Sequence, residues 1–369
     1  MFDRRLIYHL NWIIPVLMLI IFSAGVLNLY SASALRIEGG VRLTPIYKKQ
    51  ILWGVISLGG MLFCMLFDYR HLFTLSWYLY GLTIVLLLSV FWAGESIGGS
   101  QRWLDLAVFN LQPSEVAKVS VLVLTARMLA KVKGLVSWWN LLRICVAVGV
   151  PAALVIMQPD LGTGLSLLLL SGGMILYAGV RFGVLKTTCI VLPLLVPFGW
   201  FFLHEYQKER ILTFLNPESD PLGSGYHIIQ SKIAIGSGGF WGKGFLEGSQ
   251  SQLRFLPEKH TDFAFAVFGE EWGFVGSMVL LSLFCVLLYQ IFRTALEAKD
   301  DFGRYLCIGV FFYFFWQILV NIGMVLGLMP VVGMPLPFIS YGGTASVVNF
   351  CLIGLILNVS MRRFMFKRK

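Results

Sequence analysis

The sequence predicts an all-α polytopic membrane protein with about ten transmembrane helices. Of its 369 residues, 57% are hydrophobic and only 13% are charged, about half the charged fraction of a typical soluble domain. The apolar residues form continuous runs close to the roughly 20 residues that a helix needs to cross a bilayer. These runs lack the polar–apolar alternation of a membrane β-barrel. Because they fill most of the chain, we expect a single transmembrane domain over residues 1–369.

Ten segments are apolar enough to be predicted as spanning helices. In chain order they are Asn11–Tyr30, Gln50–Phe67, Phe73–Trp92, Ser114–Ala130, Leu141–Met157, Leu161–Val180, Val184–Leu203, Asp262–Ile291, Tyr305–Leu328 and Thr344–Val359. The first follows Arg4 and Arg5, and its apolar stretch is longer than a signal-peptide core. We therefore interpret it as an uncleaved anchor.

The distribution of basic residues predicts the orientation. With the N-terminus in the cytoplasm, 17 Lys and Arg residues fall on the inner side and 11 on the outer side, as the positive-inside rule requires. Ten spans return the C-terminus to the cytoplasm as well. The net charge of +10 is thus a signal of membrane topology and does not indicate a nucleic-acid partner.

The outer side receives the long extracytoplasmic loop, about residues 204–261, which joins the seventh and eighth helices. Two shorter outer connections, 93–113 and 329–343, are rich in Gly, Pro and polar residues. Loops held by a rigid scaffold often carry function. We therefore expect the chemistry on this face.

Three charged residues lie in or beside apolar segments, where an ionisable group is costly unless it is paired or solvated. Glu115 and Lys118 are three residues apart on one helix face, and they form either a structural ion pair or the wall of a polar cavity. Asp160 follows Pro159 in a turn. It is either a helix N-cap or part of the same site.

Asp262 closes the long outer loop at the predicted start of the eighth helix. Thr261 is the natural N-cap there, which leaves Asp262 without that structural role. A half-buried carboxylate can have a raised pKa and act as a base, whereas neighbouring Lys259 would lower the pKa. On a helix that begins at Asp262, if either Glu270 or Glu271 shares its cavity, helix geometry predicts that it is Glu270, and Glu271 is expected to pair with another helix.

Cations on the outer side are candidates to bind an anionic group. Arg102, Arg210 and Lys259 lie among aromatic and Gly-rich sequence, and Arg suits phosphate oxygens in particular. The cysteines and histidines show no metal-ligand spacing, so no metal site is predicted and no motif requires a cofactor. A divalent cation such as Mg or Mn is compatible with the sequence.

Several strings resemble the motifs of the SEDS family (shape, elongation, division and sporulation). They are GSQRWL at 99–104, QPSEVAK at 112–118, QPDLGT at 158–163, PEKHTDF at 257–263 and PLPFISYGG at 335–343. They occur in the family's order over some 250 residues, with spans at matching positions. The stretch DPLGSGYHIIQSK at 220–232 resembles the elongation branch more than the division branch.

The resemblance implies a peptidoglycan glycosyltransferase that polymerises lipid II, a disaccharide-pentapeptide on undecaprenyl pyrophosphate, during cell elongation. It also implies a class B penicillin-binding protein as partner within the elongation machinery. An alternative from another class is a lipid II flippase, and a third is a structural scaffold. A flippase needs a polar path through the membrane, whereas the informative residues here cluster near the outer face.

Under the glycosyltransferase hypothesis, Asp262 deprotonates the acceptor hydroxyl in an inverting displacement. Arg102, Lys118, Arg210 and Lys259 are then the predicted pyrophosphate-binding residues. Glu115, Asp160, Glu258 and Glu270 are the predicted supporting acids.

Overall fold

The structure is a computed structural model that describes residues 10–33, 37–38, 41–42, 45–97, 100–105, 110–202, 205–219, 224–252, 255–256 and 258–363. Several positions used above lie outside these ranges: the terminal basic residues Arg4, Arg5 and 367–369, and Gly99, 220–223 and Pro257 of the motif strings.

Thirteen α-helices occur in the described residues. They are α1 (Ile13–Ala32), α2 (Ile46–Leu66), α3 (Arg70–Ala93), α4 (Pro113–Ala130), α5 (Trp138–Met157), α6 (Leu161–Ala178), α7 (Phe182–Phe202), α8 (Glu205–Leu215), α9 (Ser224–Gly238), α10 (Ser249–Gln252), α11 (Ala264–Leu296), α12 (Asp301–Val325) and α13 (Gly343–Arg362). Ten of them match the ten predicted spans to within a few residues.

Eight of these ten helices are long and apolar enough to cross a membrane. The two others are α4, which carries Glu115, Lys118 and Arg127 within 18 residues, and α7, which is apolar over Phe182–Val191. The polytopic helical fold is confirmed, and the count of ten spans stays a prediction.

The buried centre of the bundle is formed by α4, α12 and α13. Nearly every residue of α13 is buried, and α12 packs on α4, α6 and α11. In contrast, α2 and α3 turn large apolar side chains outward, such as Leu52 and Trp92, as expected of helices that face lipid. Polar residues on α4 are thereby placed in the protein interior and not in lipid.

The long outer connection, which the sequence predicts to be a loop, is mostly helical. It contains α8, α9 and α10 and the short 3₁₀ turn Pro217–Ser219. Helix α9 packs against α11, and the buried Ser231 hydroxyl donates a hydrogen bond to the Val325 carbonyl at the end of α12 (2.8 Å). This packing fixes the connection above the bundle.

The start of α11 differs from the prediction. The helix begins at Ala264, and the cap residue Phe263 makes no side-chain capping bond. The Thr261 hydroxyl bonds back to Glu258 instead, so the prediction that Thr261 is the N-cap is wrong. Asp262 therefore lies in a turn ahead of the helix.

Short strands also depart from a purely helical fold. Strands β1 (Ile37–Glu38) and β2 (Val41–Arg42) form one antiparallel pair. Strands β3 (Glu95–Ile97), β4 (Ser100–Asp105) and β5 (Asn110–Leu111) form a three-stranded sheet with β4 in the middle. This sheet occupies the connection between α3 and α4 and carries Arg102 on β4.

Candidate active site

Residues from the motif strings line one cavity of about 550 Å³. Its walls come from β4, from the first turns of α4 and α6, from the 258–262 turn, from α12 and from the segment 333–345. Regions distant in sequence thus supply a single concave site, which is the usual form of a small-molecule site in proteins.

Asp262 lies in a turn whose backbone is tied to two other elements. The Asn321 amide, fully buried on α12, donates hydrogen bonds to the Asp262 carbonyl (2.9 Å) and the Met334 carbonyl (2.7 Å). The Ser340 hydroxyl donates to the Thr261 carbonyl (2.6 Å). These bonds fix the turn against α12 and the PLPFISYGG segment, and thereby position the aspartate.

Two residues in these segments adopt the left-handed region without being glycine. Glu258 has φ +47° and Phe338 has φ +66°, conformations that cost roughly 1–3 kcal/mol each. The Glu258 carbonyl accepts hydrogen bonds from the backbone N–H groups of Thr261 and Phe263. The strained turn is held by its own bonds and by those to Asn321 and Ser340.

The Asp262 carboxylate lines the cavity and is half-buried. Burial and the negative charge of Glu258 raise its pKa to about 6, while Arg102 and Arg210 act in the opposite direction. Among the described residues, no hydrogen bond to the carboxylate contributes to this shift. The carboxylate is therefore able to accept a proton near neutral pH, which answers the question that the sequence left open.

Arg102 and Asp160 form an ion pair at the cavity. The Arg102 Nη1 atom lies 3.5 Å from Asp160 Oδ2, and this pair links β4 to the start of α6. Asp160 also caps α6 by accepting from the Thr163 backbone N–H (3.1 Å). Both interpretations of Asp160 are thus combined, because one carboxylate oxygen caps the helix and the other faces Arg102.

Glu115 and Lys118 are likewise both an ion pair and part of the wall. The Lys118 Nζ lies 2.7 Å from Glu115 Oε1, with both side chains almost fully buried, and both residues line the cavity. Because the pair is neutral as a whole, Lys118 offers no net positive charge to an anion.

Four predicted site residues do not line the cavity: Arg210, Lys259, Asp160 and Glu270. Arg210, on α8, is exposed and donates to the Val331 carbonyl (3.3 Å), although its charge reaches Asp262. Lys259 points away and donates to the Ser251 carbonyl. The structure thus groups Asp262, Arg102, Lys118, Glu115 and Glu258 in the cavity wall, with Asp160 bonded to Arg102.

Glu270 is placed elsewhere, so the expectation that it shares the Asp262 cavity is wrong. Its buried carboxylate accepts from Lys243 Nζ (2.8 Å) and from the backbone N–H groups of Gln250 (2.9 Å) and Ser251 (3.1 Å). The expectation assumed one helix running through both residues, but Asp262 precedes α11. Glu271 accepts from the Ser31 hydroxyl on α1, which confirms its expected pairing with another helix.

Several residues of the site carry no recognisable signal in the sequence. Gln317 on α12 and Ser166 on α6 line the cavity, and Asn321 on α12 bonds to the Asp262 carbonyl from outside its wall. All three lie inside apolar segments, where isolated polar residues are common. Thr163, Tyr341 and Gly342 fall within the quoted motifs but were assigned no role. In the described part of the chain, no group of three or more His, Cys, Asp or Glu residues is arranged to hold a metal ion.

These features define a class: a polytopic helical membrane protein with a charged cavity built around one carboxylate of raised pKa. The model of the FtsW/RodA/SpoVE family, described as "Cell cycle protein", matches residues 11–364. The chain therefore belongs to this family, which is the SEDS family. It is a multi-pass protein of the bacterial inner membrane.

Individual relatives agree over nearly the full length. The "Peptidoglycan glycosyltransferase MrdB" of Escherichia coli K12 is 41% identical over 358 residues, covering 96% of this chain and 95% of that protein. A chain from a structure described as "Structural coordination of polymerization and crosslinking by a peptidoglycan synthase complex" is 32% identical with TM-score 0.82, covering 97% and 99%. The crystal structure of the rod shape determining protein RodA of Thermus thermophilus is 27% identical with TM-score 0.72, covering 97% and 98%.

Proposed function

We propose that the cavity polymerises lipid II, with Asp262 as the general base. The chain is a peptidoglycan glycosyltransferase, as relatives covering nearly its whole length are named. The observation that carries the role of Asp262 is its position: a carboxylate with a pKa raised to about 6, facing a cavity bordered by arginine.

In the proposed reaction, a hydroxyl oxygen of one lipid II molecule attacks the anomeric carbon of the growing strand. The new C–O bond forms as the bond from that carbon to the pyrophosphate oxygen breaks. The hydroxyl proton passes to Asp262, and undecaprenyl pyrophosphate leaves. Because a single displacement occurs, the anomeric centre inverts. A base with a pKa near the working pH suits this step.

The leaving pyrophosphate needs cations, and Arg102 and Arg210 are best placed to supply them. Both act electrostatically on Asp262, which places their charge near the reacting groups. Arg102 Nε is buried without a hydrogen-bond partner in the described structure, so it has a donor available for a phosphate oxygen. Charge-assisted bonds of this kind stabilise a developing anion.

Lys118 and Lys259 suit this role less well than the sequence suggested. The charge of Lys118 is neutralised by Glu115 at 2.7 Å. Lys259 donates to the Ser251 carbonyl and thereby links the catalytic turn to α10. We assign Lys259 a part in holding the 258–262 turn.

A partner is also part of the proposal. A related chain belongs to a complex described as coordinating polymerization and crosslinking. We propose that this chain assembles with a class B penicillin-binding protein, which would cross-link the strands, within the elongation machinery. No motif here requires a metal, and polymerisation assayed with chelator, and with added Mg or Mn, determines whether a divalent cation takes part.

The test supplies lipid II in detergent to the purified protein, alone and with its partner, and measures glycan strands on a gel. We expect polymer from wild type and none from Asp262→Asn, which keeps the shape of the side chain but cannot accept the proton. Asp301→Asn, a matched change at an exposed carboxylate of α12 paired with Arg304, is the control and should polymerise normally.

Two outcomes contradict the proposal. Absence of polymer from wild type with its partner contradicts the activity, and a wild-type rate from Asp262→Asn contradicts the role of the aspartate. Lipid II flipping in vesicles by a variant that makes no polymer would support the flippase alternative.

A further inference from the structure

The cavity has two chemically different ends. Toward Asp262 it is bordered by Arg102, which is about one-third exposed, and by the exposed Glu258. The other end lies between α4, α6 and α12, where Glu115, Lys118, Ser166 and Gln317 are all buried. These three helices pack directly on one another, so this end is closed by protein.

The buried end is not built for an anion. Its only cation, among the described lining residues there, is the Lys118 ammonium, and Glu115 neutralises it. The Thr163 and Ser166 hydroxyl protons are already donated, to Asp160 (2.9 Å) and to the Thr163 carbonyl (2.7 Å). These hydroxyls are left with lone pairs that only accept, and a phosphate oxygen, which also only accepts, finds no partner in them.

Two buried atoms at this end have no hydrogen-bond partner within 3.5 Å among the described residues: the Glu115 Oε2 acceptor and the Gln317 Nε2 donor, whose side chain also interacts with the Tyr313 hydroxyl. Each belongs to a side chain that is 3% exposed and lines the cavity. Leaving a buried polar group unpaired costs free energy. An unpaired donor together with unpaired acceptors matches a ligand whose groups both donate and accept.

We propose that this buried end, formed by Glu115, Lys118, Ser166 and Gln317, binds the uncharged sugar part of the substrate through its hydroxyl and amide groups. Sugar hydroxyls donate to Glu115 Oε2 and to the Thr163 and Ser166 oxygens, and a sugar oxygen accepts from Gln317 Nε2. The pyrophosphate stays at the arginine end. This inference rests on the proposed function, since it assigns parts of lipid II to the two ends of one cavity.

The experiment compares lipid II with undecaprenyl pyrophosphate, which has the same lipid and pyrophosphate but lacks the disaccharide-pentapeptide. An analogue of lipid II without the pentapeptide separates the sugar from the peptide. Equilibrium binding is measured in the Asp262→Asn background, where no turnover interferes. We expect Gln317→Leu to weaken lipid II binding about tenfold, the effect of one lost buried hydrogen bond. Binding of undecaprenyl pyrophosphate should not change, whereas Arg102→Gln should weaken binding of both ligands.

A matched control is Gln290→Leu, which changes a buried glutamine of α11 that bonds Asn11 (3.1 Å) and does not line the cavity. It should leave both affinities unchanged. Equal weakening of both ligands by Gln317→Leu would overturn the proposal, and so would unchanged lipid II binding. Failure of the proposed function shows separately, as absence of polymer from the wild-type protein with its partner.

Discussion

At the scale of single residues, the charges around Asp262 set the pH at which it acts as a base. Because burial and Glu258 raise its pKa to about 6, the ionised fraction grows as the pH rises through 6. We expect kcat/KM to rise about tenfold per pH unit below 6 and to level off above it. Rate measurements from pH 4.5 to 8 check this, and a rate that is flat across this range would contradict it.

The rising part of this pH–rate profile is its acidic limb. Neighbouring charges should shift the pH of this limb in opposite directions. Arg102 lowers the pKa of Asp262 and Glu258 raises it. The limb should therefore shift to higher pH in Arg102→Gln and to lower pH in Glu258→Gln. The position of the limb, and not the absolute rate, is the readout, because Arg102 also contributes to binding. Glu205→Gln, an exposed acid of α8 paired with Lys208, is the control and should leave the limb in place.

Asn321 should affect the rate of catalysis without contacting the substrate. Its amide holds the Asp262 and Met334 carbonyls, so Asn321→Leu releases the turn that positions the carboxylate. We expect kcat to fall by up to about 10²-fold, as small misplacements of a catalytic group can cause. The measurement is the polymerisation rate per folded protein.

Asn358→Leu provides a structural control for this prediction. Asn358 is also a buried asparagine that donates to backbone carbonyls, those of Cys64 and Phe67. It lies near the C-terminal end of α13, away from the cavity. We expect it to lower thermal stability while keeping kcat. If Asn321→Leu behaves in the same way, Asn321 has no positioning role.

At the scale of elements, a break in α11 joins this helix to the outer connection. Gly273 has φ +64° and ψ −160°, a combination that is essentially limited to glycine. The Phe274 and Val275 N–H groups, freed by the break, donate to the Gly239 and Phe240 carbonyls. The kink is therefore part of the packing between α11 and the segment that follows α9.

Gly273→Ala should destabilise the protein. The added Cβ would lie 2.2 Å from the Gly242 nitrogen, and the backbone conformation alone costs an alanine about 1–3 kcal/mol. We expect a lower Tm in detergent. Gly172→Ala, at a glycine of α6 with nothing within 4 Å of a new Cβ, should leave the Tm unchanged or raise it, since alanine is the better helix residue. Equal Tm values for the two variants would contradict the role of the kink.

At the scale of the whole molecule, the predicted topology puts α8 outside the cell and the connection between α4 and α5 inside. A membrane-impermeant maleimide should label Glu209→Cys in intact spheroplasts, and should label Lys133→Cys only after permeabilisation. Glu209 and Lys133 are both exposed in the structure, so a difference in labelling reports the side of the membrane. The protein without either substitution is the control for labelling of the native cysteines, of which Cys145, Cys189 and Cys285 are exposed. The reverse labelling pattern would contradict the orientation.

The helical membrane fold, the approximate helix bounds and the importance of Asp262 all follow from the amino-acid sequence. Apolar runs and basic-residue asymmetry are local properties, and a bilayer turns them directly into helices and orientation. The motif strings also identified most of the charged cavity wall. These conclusions depend on residues close together in the chain.

Which charged groups come into contact depends on the tertiary structure. The spacing of residues along a continuous helix predicted that Glu270 would lie near Asp262. However, Asp262 lies in a turn ahead of α11, so this spacing does not apply. Glu270 binds Lys243 and the start of α10 instead. Lys259, within the catalytic turn itself, donates to the Ser251 carbonyl and does not line the cavity. Gln317 and Asn321 are isolated polar residues in an apolar helix. Their roles come from groups contributed by other helices, because electrostatic and hydrogen-bond partners are set by distance in space and not along the chain.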